Sequence, residues 1–115
     1  MSKIFSLIAL FLLAAPAWAA PHVYCRDAGN VGDHDYSAQI KGESARVYFR
    51  GRPVAKLWLG ESVRDSGDYP HVNYYYPGSR YSLKVTTGGI ADIATAVVYA
   101  TDFDSMPIAF LETCE

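Results

Sequence analysis

The residues of this chain best equipped for chemistry are a histidine between two aspartates, Asp33-His34-Asp35, and the carboxylate pairs Asp65/Asp68 and Asp102/Asp104. Imidazole nitrogen and carboxylate oxygen both offer lone pairs to a divalent cation without any redox change. Neighbouring residues of an extended chain point to opposite sides, however, so the tripeptide alone does not close a tetrahedral site. No segment has the spaced oxygen ligands and glycine of an EF-hand loop. The three acidic loops would offer calcium a site only if the topology brought them to one end. Aspartates in such loops ordinarily form turns by bonding their own backbone, and the sequence therefore predicts no metal and no cofactor. His22 and His71 have no partner by spacing.

Hydrolytic chemistry has less support. There is no Gly-x-Ser-x-Gly elbow to expose a serine. The two cysteines, Cys25 and Cys114, are expected to be joined, which leaves no thiol nucleophile. They lack the Cys-x-x-Cys spacing of a redox pair. Closing a loop of 89 positions stabilises a fold by roughly 4 to 5 kcal/mol in the chain-entropy model. A domain of this size also has little room for a cleft that encloses a substrate. The sequence predicts a protein that is not an enzyme.

Tyrosine is the feature least like an average domain: there are nine, with Tyr74, Tyr75 and Tyr76 consecutive and Tyr69, Arg80 and Tyr81 close by. Three consecutive side chains cannot share one face of a strand, so either Tyr75 or the pair Tyr74 and Tyr76 points outward. Exposed tyrosine beside arginine suits protein and sugar recognition, because the ring gives rigid apolar area and the hydroxyl a hydrogen bond. Tyr74, Tyr75, Tyr76, Arg80 and Tyr81 are thus the candidate binding residues. The competing explanation is that tyrosine is simply a good strand residue on a half-covered sheet.

The elements that must position these residues are short. Apolar or aromatic runs alternate with turn-rich clusters, the pattern of a small antiparallel β protein. Strands are predicted over 23–26, 36–40, 45–50, 54–59, 72–76, 81–86 and 106–114, with Ile108, Phe110 and Cys114 sharing a face of the last. Residues 51–53 read as a tight reversal, and the polar stretch 60–70 as a surface loop. Residues 90–100 have apolar positions at helical spacing but β-branched and aromatic types; a strand over 95–101 is preferred. The fold class predicted is all-β, a small antiparallel β-barrel or sandwich of about seven or eight strands, with first and last strands tied by the disulfide.

Lys3, an apolar run of about a dozen residues, and the small residues Ala17 and Ala19 together have the layout of a cleaved secretory signal over 1–19. That run is well short of the ~20 residues of a membrane-spanning helix. Residues 20–115 then form a single disulfide-closed domain of 96 residues, periplasmic or secreted. Losing Lys3 leaves nine basic against twelve acidic residues, a net charge of −3. Such a balance gives no electrostatic footprint for nucleic acid.

The segment Gly78-Ser79-Arg80-Tyr81 and the near-terminal cysteines give the chain a layout that resembles the periplasmic lysozyme inhibitors of Gram-negative bacteria. The resemblance lies in the glycine-x-arginine-tyrosine portion of their inhibitory loop. Pro77 stands where that loop carries serine, and the run Tyr74 to Tyr76 has no counterpart. The resemblance implies a small exported β-barrel that inhibits a hydrolase. The function expected is therefore a non-catalytic binding module whose partner is a protein or glycan of the cell envelope. The alternatives are a metal-binding protein or a structural envelope component.

Overall fold

The computed structural model of the chain describes residues 20–27, 35–89 and 93–115. The predicted signal and its cleavage point lie outside the described residues, as do Asp33 and His34. Ten strands follow one another: β1 His22–Arg26, β2 Tyr36–Lys41, β3 Ser44–Phe49, β4 Arg52–Trp58, β5 Glu61–Asp65, β6 His71–Tyr76, β7 Ser82–Gly88, β8 Ile93–Tyr99, β9 Pro107–Leu111 and β10 Thr113–Cys114. They form two five-stranded antiparallel sheets, ordered β10-β1-β2-β3-β4 and β9-β8-β7-β6-β5.

Only Leu59 and Gly60 separate β4 from β5, and only Glu112 separates β9 from β10. Each pair is one chain segment bending from one sheet into the other, so the ten strands make eight passes. The last pass pairs first with β8 and then with β1, which returns the meander to its start. Cys114 stands opposite Cys25 with their Cα atoms 4.0 Å apart, and the disulfide joins them. Glu115 extends the pairing by exchanging backbone hydrogen bonds of 2.9 and 3.0 Å with Tyr24. The all-β barrel-like architecture with first and last strands bridged is the one predicted. A disulfide of this kind belongs to an oxidising, extracytoplasmic environment.

Three sequence expectations need correction. Residues 61–65 are a strand, not a loop: Glu61, Val63 and Asp65 pair with Tyr75, Asn73 and His71. The polar composition reflects full exposure at the sheet edge, and pairing with β6 overrides weak local propensity. The segment 106–114 is broken at Glu112, and a register shift at Ile108 separates residues expected to share a face. Ala109 and Leu111 are buried, and Phe110, expected on one face with Ile108 and Cys114, is 58% exposed while those two pack against the core. The ambiguous stretch is a strand, but over Ile93–Tyr99 rather than 95–101.

The reversal after β3 is also one step earlier than expected. Arg50 and Gly51 both have positive φ, 53° and 80°, and form a two-residue hairpin loop between the paired Phe49 and Arg52. A non-glycine residue is disfavoured there. Arg50 is held by its own N–H donating to the Asp35 carbonyl at 2.7 Å, by an ion pair to the Asp35 carboxylate at 3.2 Å, and by stacking over Phe49 at 5.1 Å.

Strict alternation fills the space between the sheets. Ala38, Ile40, Ala45, Val47 and Leu57 face Tyr74, Tyr76, Leu83, Val85, Ala96, Val98 and Leu111. The alanines leave room for two tyrosines that cross the interior. Tyr76, fully buried, donates a 2.6 Å hydrogen bond from its hydroxyl to the Gly42 carbonyl of the opposite sheet's β2–β3 turn. That turn is tied further by Gly42 N–H to the Pro21 carbonyl and Leu59 N–H to the Glu43 carbonyl. Burial, reinforced by Tyr74 and Glu43, raises the Tyr76 phenol well above the usual tyrosine range.

Candidate functional site

The five predicted binding residues do not form one surface. Tyr74 and Tyr76 are buried in the core, and neither ring is offered to a partner. Burial of the first and third members of the run puts Tyr75 on the outside of β6, half-covered by Phe103, whose ring meets it edge-on at 5.1 Å. Phe103 also meets Tyr99 edge-on at 5.4 Å. Arg80 and Tyr81 belong to the β6–β7 connection.

That connection is rigidly built. Gly78 N–H donates to Ser82 Oγ at 3.0 Å, which places a fully buried hydroxyl under the loop. A Cβ on residue 78 would collide with the Tyr81 carbonyl oxygen and lie 2.6 Å from Leu57 Cδ2, so only glycine lets the chain pass this close to β4. Tyr81 is half-buried, 6.2 Å ring to ring from Tyr36, which in turn lies 4.9 Å from Phe49. These rings cap the end of the interior where the β3–β4 and β6–β7 connections meet.

Ser79 and Arg80 are the exposed tip of this loop, and among the described residues Arg80 has no ion-pair partner. A cleft opens on each side of the tip. One, of about 460 Å³, is bounded by Lys56, Trp58, Pro77 and Arg80. The other, of about 390 Å³, is bounded by Tyr36, Arg80, Tyr81, Thr101 and Ile108. An unpaired guanidinium between two shallow clefts is suited to entering a concave anionic site on another molecule.

The acidic residues are dispersed. Registers in the second sheet put the β5–β6 loop, with Asp68, at one end and the β8–β9 loop, with Asp102 and Asp104, at the other. Asp102 accepts the Asp104 N–H at 3.0 Å and Asp65 accepts the Gly67 N–H at 2.9 Å, the turn-forming role predicted for them. Asp35 is engaged by Arg50. Among the described residues no group of three or more His, Cys, Asp and Glu is placed to hold a metal ion.

His71, which has no partner by spacing, has one in space: its Nε2 lies 3.8 Å from the Asp65 carboxylate and its Nδ1 3.0 Å from the Tyr69 carbonyl. The missed signal is the turn-forming Ser66-Gly67-Asp68 between 65 and 71, which closes a hairpin and sets those two residues opposite each other. Trp58, 61% exposed, is the largest surface ring that the sequence reading left out.

No family model, no curated protein and no solved structure matches the chain. The resemblance to lysozyme inhibitors thus rests on residues 78–81 and the layout of the chain.

Proposed function

We propose that this protein is an exported, non-catalytic binding module, periplasmic or secreted, that engages a protein partner through the Ser79-Arg80 tip, and that the partner is a hydrolase of the lysozyme type. The observation that carries this reading is the unpaired, exposed Arg80 on a loop fixed from below by Gly78, Ser82 and Tyr81. A preorganised tip loses little conformational entropy on binding, which is the economy a small inhibitor needs. A glycoside hydrolase of that type carries paired carboxylates in its cleft, a complementary target for a guanidinium. Tyr75 and Phe103 widen the contact beside a third shallow cleft that Tyr75, Phe103, Pro77 and Glu61 line.

The test is inhibition of chicken-type and other lysozymes on cell-wall substrate by the oxidised protein. Stoichiometric inhibition is expected, with Arg80→Ala weakening it at least tenfold. Activity left intact at a large molar excess of the protein, or equal inhibition by Arg80→Ala, would overturn the reading.

A further inference from the structure

The outward face of the first sheet has an unusual composition. Strands β1 to β4 and β10 carry Arg26, Lys41, Arg46, Arg52 and Lys56, and no aspartate or glutamate; Glu115, which extends β10 beside Tyr24, is the carboxylate at the far edge of the face from Arg46 and Lys56. This segregation occurs in a chain whose net charge is negative. Register fixes where the cations stand. One outward row runs Tyr24, Gln39, Arg46, Lys56 across four strands. The next runs His22, Lys41, Ser44, Trp58. Arg46 and Lys56 are therefore directly opposite each other on neighbouring strands, and Lys41 is the diagonal neighbour of Arg46 on the other side.

Like charges directly opposite in a sheet destabilise it. Nothing neutralises these two: among the described residues neither has an ion-pair partner, and Lys56 instead lies over the Trp58 ring at 5.1 Å. Among the described residues Arg26 is the one cation of the face with a carboxylate, Glu115 at 3.6 Å. The rings are open to solvent, Trp58 at 61% and Tyr24 at 44%. The two rows contain no aliphatic side chain, which separates this face from the apolar core of an ordinary protein interface.

We infer that this face is a second binding surface, which adjoins the Arg80 tip at the cleft that Lys56 and Trp58 bound, and that it takes an extended anionic polysaccharide, a chain of uronate sugars. Carboxylates along the chain would meet Arg46, Lys56 and Lys41, whose mutual repulsion the ligand relieves. Sugar ring faces would lie on Trp58 and Tyr24, as apolar sugar faces do on aromatic rings. A row of side chains running across four strands, which no other described residues cover, suits a linear polymer better than a small ion. The extracytoplasmic setting given by the disulfide is where such polymers occur.

The experiment is a binding titration of the oxidised protein with alginate, with dextran and oligothymidylate run alongside. Alginate should bind at low ionic strength and release as salt rises. Arg46→Ser with Lys56→Ser should weaken it about tenfold, whereas Lys84→Ser, on the other sheet, should leave it unchanged. The double variant relieves repulsion, so its melting temperature should not fall and lost binding will not report lost fold. Absence of alginate binding, equal binding by the double variant, or equal binding of dextran would overturn the inference. Tighter binding of oligothymidylate than of alginate would overturn it too, assigning the face to single-stranded nucleic acid.

Discussion

The two sheets of this protein have similar inner faces and different outer ones. Inside, both set alanine among valine, leucine or isoleucine, and the second adds the buried Tyr74 and Tyr76. Outside, the second sheet sets Lys84 between the uncharged Val97 and Tyr75, with Glu61 one strand further on. The first sheet sets Arg46 against Lys56 and has no carboxylate in any strand. One arrangement spaces its charges as a solvated surface does. The other retains a repulsion that folding alone gives no reason to keep, and such a cost points to a partner.

The comparison supplies its own perturbations. The largest acts on both faces at once: replacing Cys25 and Cys114 together with alanine opens the ring where the last pass returns to β1. It should cost roughly 4 to 5 kcal/mol in denaturant unfolding, the chain-entropy value for so long a loop. A loss under ~1 kcal/mol would mean that the paired strands hold the closure without the bridge.

Next come the two sides of β6. Tyr76→Phe removes a hydrogen bond that spans the interior and leaves the Gly42 carbonyl short of a partner, a loss of about 1 to 2 kcal/mol. Tyr75→Phe on the outer side should stay within ~0.5 kcal/mol. The Tyr76 phenol also has a pH signature. An unfolded tyrosine ionises near 10.0, while burial keeps the native phenol protonated beyond that. Unfolding therefore releases a proton above about pH 10. Stability is complete below that pH and declines above it, by up to ~1.4 kcal/mol per unit. Tyr76→Phe should flatten this alkaline decline; an unchanged slope would place its origin elsewhere.

The smallest effects compare the outer faces directly. Lys56→Glu converts a facing repulsion into a cross-strand pair with Arg46 and should raise stability by a few tenths to ~1 kcal/mol. Lys84→Glu has no facing cation to gain and should change little. Equal responses on the two sheets would erase the distinction between them.

Much of this was legible from the sequence because inward positions alternate: Val47, Leu57, Leu83 and Val85 all fall on the face that period-2 reading assigns them. The paired cysteines, the strand character of 95–99 and the turn role of the aspartates were readable for equally local reasons. The errors have non-local causes. A strand that bends at Gly60 into a second sheet looks polar because its partner strand, not its own residues, makes it a strand. The bulge at Ile108 and the break at Glu112 separate residues that one unbroken strand would keep on one face, so Phe110 is exposed while Ile108 and Cys114 pack against the core. Tyr74 and Tyr76 were candidates for a binding patch because a run of tyrosines shows only that its two sides differ. The basic face was invisible because Arg46 and Lys56 are ten residues apart and meet only through a register shifted by the bulge at Val54.

The most direct test of the central claim, that the outer face of the first sheet trades stability for an anionic partner, is to measure melting temperature and alginate affinity on one variant, Lys56→Glu. The account predicts opposite signs: a higher melting temperature and weaker binding. A variant that melts no higher than wild type, or binds alginate as well, would contradict it.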